Sequence, residues 1–321
     1  MLVHRARRAV AWVVFLALTG SSAAVLSGVA EAAPTVVRVA GDFVEDERDE
    51  IFEYRPGNGS DIMYVGYTKD GGTVHNQNSY TLPVLHTYAP FAGDFDGDGK
   101  DELFFFGAGD GGDFIWDFTE ITSKREVPKT QGGLYLPVVA DFNGNGIDDI
   151  LWYAPGAAPD EIWEFLPDLT HRTHAIRNFT GDYVPLAGNF TGDGGEDVIF
   201  YGRGETADHL VDFEPGSFTP AVGSFGPLTG SDHRPFTLDA YGDGWTDIVF
   251  YNAGAPVDPV WNFTPERIWK HNEQALGTYT PVSGDFFGDG YEDIFWFGNT
   301  SSSIWDWEGG EHPVPRSFGT S

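Results

Sequence analysis

The sequence predicts an all-β fold, a six-bladed β-propeller built from four-stranded antiparallel blades. An acidic ten-residue segment recurs six times, and each copy is followed by an aromatic run typical of a β-strand. No window shows sustained helical periodicity. A seven-bladed propeller is the alternative, and it would need one more repeat than the sequence displays. A nonapeptide calcium β-helix is excluded because its period would be about nine residues.

The N-terminal segment, residues 1–32, is predicted to be a signal peptide. A basic stretch, MLVHRARR, precedes an apolar run, and Ala30-Glu31-Ala32 fits a small-x-small cleavage site. An uncleaved membrane anchor is the alternative, but glycines and serines interrupt the apolar run. We therefore expect a secreted, extracellular protein that does not insert into a membrane after cleavage, with residues 33–321 forming a single propeller domain.

The composition excludes several classes of function. The formal net charge is -31, which argues against electrostatic binding to nucleic acid or to an anionic membrane. The chain contains no cysteine, so a disulfide, a thiolate metal site and a cysteine nucleophile are all excluded. Such an acidic chain attracts cations.

The repeated segments are here called the acidic loops. Within each loop, the ten residues are numbered from position 1 to position 10. The loops begin at intervals of about 48 residues, within the range expected of propeller blades. The six loops are DFVEDERDEI from residue 42, DFDGDGKDEL from 94, DFNGNGIDDI from 141, NFTGDGGEDV from 189, DAYGDGWTDI from 239 and DFFGDGYEDI from 285.

Four strands are expected around each acidic loop. An aromatic-x-Pro-apolar lead such as YLPVVADF forms the first strand, and a run such as ILWYAPG forms the second. A third strand such as EIWEF follows about 22 residues after the loop begins. A more variable fourth segment such as THRTHAIRNF closes the unit. Radial stacking of such sheets buries both of their faces.

The loop at residue 94 has the spacing of a site for a hard cation. Alternate side-chain oxygens can converge on one ion, a glycine at position 6 allows the sharp turn, and calcium takes six to eight oxygen ligands. The alternative is a solvated turn, since Asp, Asn and Gly also favour turns without an ion. The candidate ligands are Asp94, Asp96, Asp98, the carbonyl of Lys100, and Glu102.

The six loops are unequal as calcium sites. The loop at 42 carries Val44 and Glu47 at positions 3 and 6 and is expected to have lost its ion. The loops at 239 and 285 have an aromatic residue at position 3, so the sequence neither favours nor excludes a bound ion in these two loops. We expect two or three bound Ca²⁺ ions. The further candidate ligands are Asp141, Asn143, Asn145, Ile147 through its carbonyl, Asp149, Asn189, Thr191, Asp193 and Asp197.

The string GDF-x-GDG-xx-D followed by an aromatic strand resembles the FG-GAP/VCBS repeat of integrin α N-terminal-like β-propellers. The resemblance covers nearly all of the chain after the signal segment. It implies a propeller in which the acidic loop joins the first two strands of a blade and binds calcium in a mainly structural role. It says little about activity, because the family includes lectins, adhesion domains and accessory parts of secreted enzymes.

The function favoured by the sequence is a binding module for carbohydrate or for a cell-surface protein. A polysaccharide lyase or hydrolase with a site at the central channel is an alternative, as is a structural component of the envelope. No catalytic residue can be assigned, because the HExxH, G-x-S-x-G, P-loop and Rossmann motifs are absent. The close histidine pair, His171 and His174, is expected to face solvent. The sequence does not indicate an oligomeric state.

Tryptophans fall into two groups. One group recurs at a fixed repeat position in the third strand and is expected to pack in the core between blades. The other group has no fixed position in the repeat and indicates a ligand-binding site only weakly. The recurring residues are Trp116, Trp163, Trp261 and Trp305, and the irregular ones are Trp245, Trp269 and Trp307.

Overall fold

The computed structural model describes residues 36–57, 59–107, 112–156, 158–204, 206–225 and 233–319. The predicted signal peptide lies outside the described residues. The described part of the chain contains 24 strands, which follow one another in units of four. Within these ranges, no helix has the length and apolar character needed to cross a membrane.

The first three units carry twelve strands. The first unit contains β1 (Val37–Gly41), β2 (Glu50–Tyr54), β3 (Ile62–Asp70) and β4 (Thr73–Thr81). The second contains β5 (Ala89–Gly93), β6 (Glu102–Phe106), β7 (Asp113–Glu120) and β8 (Ser123–Lys129). The third contains β9 (Leu136–Ala140), β10 (Asp149–Tyr153), β11 (Glu161–Phe165) and β12 (His171–Ala175).

The last three units repeat this order. The fourth unit contains β13 (Tyr183–Gly188), β14 (Asp197–Gly202), β15 (Asp208–Asp212) and β16 (Ala221–Phe225). The fifth contains β17 (Arg234–Leu238), β18 (Asp247–Tyr251), β19 (Asp258–Phe263) and β20 (Ile268–Glu273). The sixth contains β21 (Tyr279–Gly284), β22 (Asp293–Gly298), β23 (Ser302–Asp306) and β24 (Val314–Phe318).

Each strand pairs antiparallel with the next strand of its unit, so the predicted four-stranded antiparallel sheets are confirmed. The number of separate sheets differs from the prediction. Four units form separate four-stranded sheets, whereas the first and sixth units share one eight-stranded sheet. The two halves of this sheet meet through a short parallel pairing between β4 and β24, with Ser317 opposite Thr73 and Phe318 opposite Val74. Neither six nor seven separate sheets are present among the described residues.

The core lies between neighbouring sheets. The second strand of a unit is buried along its whole length in β2, β6, β10, β14 and β18, because both faces of the sheet are covered. Between the first two units, Phe52 meets Phe105 and Trp116 in edge-to-face contacts with centroids 5.9 and 6.2 Å apart. The recurring tryptophans are all buried, as predicted. Trp307, one of the irregular tryptophans, is buried too, so its side chain is not available to contact a ligand.

The first strand of each unit contacts the first strand of the next. These contacts run from β1 through β5, β9, β13, β17 and β21, and β21 contacts β1 again. The units are thus arranged in a closed circle with their first strands facing one another. The arrangement is that of a β-propeller.

Candidate functional site

Every acidic loop connects the first strand of its unit to the second, as the sequence predicted. The loop at 94, for example, lies between β5 and β6. Because consecutive strands are antiparallel, the connections between the third and fourth strands reach the same edge of each sheet. We call this edge of the molecule the acidic face, and the other edge the opposite face.

The loop at 94 brings three of its four predicted acidic side chains together. Ligand atoms of Asp94, Asp96 and Glu102 all lie within 4.8 Å of one another. Asp98 points elsewhere: its Oδ1 accepts a hydrogen bond from the backbone N–H of Lys100 at 2.9 Å, and its Oδ2 pairs with the Lys100 ammonium. The cluster in this structure is therefore a triad of carboxylates.

The carboxylate of Asp94 also orders the turn. Its two oxygens accept hydrogen bonds from the N–H groups of Gly97 at 2.7 Å and Gly99 at 3.0 Å. Gly99 has a φ of 91°, a conformation that favours glycine, which is why position 6 carries this residue. In the other loops, too, the side chain at position 1 accepts hydrogen bonds from N–H groups of the turn. This geometry is therefore compatible both with a solvated turn that binds no ion and with a cation site.

Burial and neighbouring negative charges disfavour the ionised form of Asp94 and Glu102 in this triad. Burial, with nearby Asp96 and Asp98, raises the pKa of Asp94 to about 6, although the turn N–H groups oppose the shift. Burial, with the charges of Asp96 and Asp94, also raises the pKa of Glu102 well above its usual value. A divalent cation held between the carboxylates would remove this repulsion.

The loop at 141 has a similar geometry with less charge. Asp141 accepts hydrogen bonds from the N–H groups of Asn145 and Gly146 at 3.0 and 2.7 Å. The Nδ2 of Asn143 lies 3.4 Å from Oδ2 of Asp149, while Oδ1 of Asn145 accepts from the N–H of Ile147. Burial raises the pKa of Asp149 to about 9. Asn143 and Asp149, two of the predicted ligands, thus lie next to each other.

The loop at 189 is hydrogen-bonded to the neighbouring acidic loop, and its acidic side chains do not converge on one point. Asn189 accepts a hydrogen bond from the N–H of Gly192 and donates through Nδ2 to the carbonyl of Gly244 in the next acidic loop. Asp193 accepts from the N–H of Gly195. Asp197 is buried and accepts from the N–H groups of Phe190 and Thr191, both at 3.1 Å. Asp193 and Asp197 are not part of a metal-type cluster in the described chain.

The aromatic residues at position 3 have contacts of their own. Tyr241 donates its hydroxyl to the carbonyl of Glu311 at 3.2 Å and lies against the ring of Trp269. The ammonium nitrogen of Lys69 lies over the ring of Phe287, 4.0 Å from the ring centroid. In these two loops, position 3 connects neighbouring parts of the acidic face.

Sequence reasoning missed the role of position 8. Its side chain accepts a hydrogen bond from the position 1 N–H of the preceding loop, while its own N–H donates to the position 1 carbonyl. This pair of bonds, here called a clasp, joins neighbouring units. Five complete clasps join Asp42 to Asp101, Asp94 to Asp148, Asp141 to Glu196, Asp239 to Glu292, and Asp285 to Asp49.

The sixth junction is a partial clasp. Thr246 replaces the acid at position 8, and its N–H still donates to the Asn189 carbonyl at 3.0 Å. The acidic loops therefore form a continuous circle of hydrogen bonds, including the junction between the last loop and the first. The recurrence of an acid next to position 9 was the sequence signal for this role.

A second repeated aspartate was also missed. It lies at the start of the third strand and accepts backbone N–H groups from the end of the second strand and from the chain after the fourth. In the fifth unit, Asp258 accepts from Asn252 at 3.0 Å and from Ala275 at 2.8 Å. The spacing D-x-x-W, which recurs at Asp113, Asp160 and Asp258, was the signal. The equivalents are Asp61, Asp113, Asp160 and Asp208.

The opposite face carries a recurring apolar feature, here called the aromatic rim. Half-buried tyrosines begin or immediately precede the first strands, and an exposed leucine lies beside three of them. These leucines are 72%, 61% and 66% exposed. The tyrosines are Tyr88, Tyr135, Tyr183 and Tyr279, and the leucines are Leu85, Leu134 and Leu276.

The histidine pair of β12 does not simply face solvent. The ring of His171 stacks on Trp163 with centroids 3.8 Å apart, and burial lowers the pKa of His171. His174 pairs through Nε2 with Oε2 of Glu164 at 2.8 Å. Both contacts lie within one sheet, and both side chains stay partly exposed, so the expected exposure to solvent is found only in part.

Comparison with known proteins supports the fold. Residues 94–152 match the FG-GAP-like repeat family. A lectin of Agrocybe aegerita, solved to explain its specific recognition of non-reducing terminal N-acetylglucosamine, aligns with a TM-score of 0.59 and 17% identity, over 87% of this chain and 78% of the lectin. A Tc holotoxin pore of Photorhabdus luminescens aligns with a TM-score of 0.49 and 15% identity, over 89% of this chain and 14% of the pore chain. No curated protein sequence matches the chain.

The matched segment begins at the best-preserved acidic loop and ends in β10, so it contains two consecutive acidic loops and the four strands between them, β6 to β9. The remaining loops repeat the same connection between first and second strands. One segment of the chain thus matches the FG-GAP-like repeat, and the circular arrangement of sheets is that of a β-propeller.

Proposed function

We propose that this protein is a secreted, calcium-binding propeller that acts as a carbohydrate-binding module. The observation that carries the proposal is its fold, a β-propeller similar to a lectin over most of the chain. The aromatic rim adds a chemical argument, because sugar rings pack their apolar faces on exposed aromatic and aliphatic side chains while polar groups fix their orientation. A cell-surface protein is the second candidate partner.

The proposed ring has six blades. The eight-stranded sheet divides into two meanders, β1 to β4 and β21 to β24, each with the strand order of a complete blade. The six junctions between acidic loops support this count, since each unit is clasped to one unit on either side. The parallel pairing of β4 with β24 is then an extra contact between the first and last blades.

Calcium is proposed for the loops at 94 and 141, and the loop at 189 is the third candidate. The triad of Asp94, Asp96 and Glu102 supports the first site because hard oxygen ligands converge there. Their raised pKa values are consistent with carboxylates that need a counter-charge. When bound, the ion would neutralise the acidic loop and brace the first two strands of the blade.

A melting experiment tests the calcium proposal. We expect millimolar calcium to raise the melting temperature over that in excess EDTA, because an ion that binds only the folded state stabilises it by mass action. Asp96→Ala should lower calcium affinity at the loop at 94, measured by isothermal titration calorimetry. Asp98→Ala is the matched control and should have the smaller effect, since Asp98 points to Lys100. An unchanged melting temperature in EDTA would refute the proposal.

A glycan-binding experiment tests the module. We expect an array carrying N-acetylglucosamine-terminated oligosaccharides to bind the protein without releasing product. Leu276→Ser or Leu134→Ser should weaken binding about tenfold, which corresponds to about 1.4 kcal/mol of lost apolar contact. Ile268→Ser is the control, because Ile268 is an exposed aliphatic residue on β20 outside the rim.

One outcome would overturn the proposed module, and another would overturn the assignment of its binding surface to the aromatic rim. Release of shortened glycans would favour the alternative of a polysaccharide-active enzyme. Equal weakening by Ile268→Ser and by the rim variants would place the binding surface away from the aromatic rim. A comparison in EDTA, at a temperature where the fold persists, then separates a structural ion from one that touches the sugar.

A further inference from the structure

A cluster of two histidines and a glutamate lies at the junction of the last two units. His271 and Glu273 are two residues apart on β20, so their side chains leave the same side of the strand. His312 comes from the turn between β23 and β24 and reaches the same point. Ligand atoms of the three side chains lie within 4.8 Å of one another. We call this group the histidine cluster.

The buried member of the cluster has no hydrogen-bond partner. The side chain of His271 is 7% exposed, and neither of its ring nitrogens makes a hydrogen bond. Its Nε2 lies 3.4 Å from Oε1 of Glu273, too poorly placed for a hydrogen bond. Leaving a buried polar group unpaired destabilises the folded state. Its ring nevertheless lies beside a carboxylate and a second imidazole, whose centroid is 5.4 Å away.

The other two members already interact. Nδ1 of His312 lies 2.5 Å from Oε1 of Glu273. The hydrogen bond to this carboxylate raises the pKa of His312. The pKa of Glu273 is lowered, because its contacts with His271 and His312 outweigh the effect of its burial. The charge of the carboxylate is thus available to a cation at this point.

We propose that the histidine cluster binds a divalent transition-metal ion of the zinc class. Two imidazole nitrogens and one carboxylate oxygen form a common ligand set for such ions, with metal–ligand distances of about 2.0–2.2 Å. Tetrahedral ligands at these distances lie about 3.3 Å apart. The 3.4 Å separation of His271 and Glu273 already fits, and His312 would retreat from the carboxylate by about 1 Å.

His312 can make this movement because it lies on an exposed turn. Its side chain is 58% exposed, and its ring is 5.4 Å from that of His271 in an edge-to-face arrangement. The exposed side of the cluster leaves room for a water or an external ligand in a fourth position. The two ligands on the strand are 7% and 15% exposed and would fix the geometry, and the exposed His312 would complete it.

The histidine cluster differs in chemistry from the acidic loops. Calcium prefers carboxylate, carbonyl and water oxygens, whereas imidazole favours zinc, nickel and copper. The inference therefore does not depend on the proposed calcium sites or on carbohydrate binding. Within the described residues, the histidine cluster and the triad at the loop at 94 are the two groups of this kind.

A bound ion would connect two units. β20 is the fourth strand of the fifth unit, and His312 precedes the fourth strand of the sixth. The same junction is already bridged by Tyr241, which donates to the carbonyl of Glu311 next to His312. Metal binding would fix the exposed turn against the neighbouring sheet.

Calorimetric titration of the intact protein with zinc chloride tests the site. The titration is done in excess calcium, so that hard-cation sites are occupied. We expect one saturable zinc site, and a cobalt titration should give the intense visible absorption of a tetrahedral ion. His312→Ala should weaken zinc binding at least about tenfold, because even the loss of an outer-shell partner of a ligand costs that much. The exposed turn makes this variant safe for folding.

The control is His174→Ala. His174 also pairs with a glutamate across two strands, but no second histidine completes that group in the described chain. Zinc affinity should be unchanged in this variant and reduced in both His312→Ala and His271→Gln, with far-UV circular dichroism as a check of the fold. The absence of a saturable zinc site, or equal weakening by His174→Ala, would overturn the inference.

Discussion

Position 9 of the acidic loops shows how one residue can serve different ends. Glu102 belongs to the triad at the loop at 94, whereas Glu50 occupies the same position in a loop with Val44 at position 3. Glu50 accepts a hydrogen bond from the N–H of Phe43 through Oε2, but its Oε1 is buried without a partner. The carboxylate is kept for its backbone contact, even where the loop offers fewer ligands for an ion.

This difference predicts that Glu50→Gln stabilises the protein at neutral pH in EDTA. Burial, with the charges of Asp46 and Asp42, raises the pKa of Glu50 to about 9. The folded state thus favours the protonated acid, and the stability this gives below pH 4.5 is lost as the pH rises towards 9. Glutamine cannot ionise and should gain about 1–3 kcal/mol over the wild type at pH 7.5.

Urea unfolding at pH 4 and pH 7.5 checks this prediction. The two proteins should be equally stable at the lower pH and diverge at the higher one. Glu102→Gln, compared in saturating calcium, should instead be destabilising because it removes a proposed ligand. Loss of stability in Glu50→Gln at pH 7.5 would contradict the assignment and indicate that the charged carboxylate is needed there.

At the scale of the element, the acidic loop combines three tasks within ten residues. Position 1 orders the turn, position 9 supports the backbone of its own unit, and position 8 clasps the preceding unit. Adjacent positions can act in opposite directions because side chains alternate along an extended chain. Most acids of the loop are therefore hydrogen-bonded to backbone N–H groups, and the high negative charge is partly a structural requirement of the repeat.

The sequence predicted what depends on local periodicity. The strands around each loop, the burial of Trp116 and its equivalents, and the link between first and second strands all follow from the repeat. The clasps could not be predicted, because a bond between Asp42 and Asp101 depends on how two sheets face each other. The histidine cluster was missed for the same reason, since His271 and His312 belong to different units.

The shared sheet of the first and last units has a similar explanation. β3 and β4 are nine residues long, whereas most strands have five or six. Their extension brings Thr73 and Val74 beside the end of β24. A count of repeats gives the number of units, but the length of one hairpin decides whether two of them join edge to edge.

For the whole molecule, closure depends on the junction of the first and last units. Lys69 of β3 reaches Asp306 at 2.8 Å, and it also lies near Glu308 and Asp289 at 3.3 and 3.5 Å. Asp306 is fully buried and also pairs with Arg316. The clasp between Asp285 and Asp49 completes the same junction. The Lys69 ion pairs, the clasp and the parallel pairing of β4 with β24 thus join the first and last units without a covalent connection.

We expect Lys69→Met to destabilise the fold by about 1–3 kcal/mol, since it leaves a buried carboxylate with one partner fewer at the closing junction. Arg172→Met is the control, because Arg172 is 62% exposed and pairs with Glu164 inside a single sheet, where a loss below about 1 kcal/mol is typical. Urea unfolding at fixed calcium measures both. Equal losses would show that closure does not depend on Lys69. A larger loss for Lys69→Met, with a single cooperative transition, would show that opening the junction destabilises the ring as a whole.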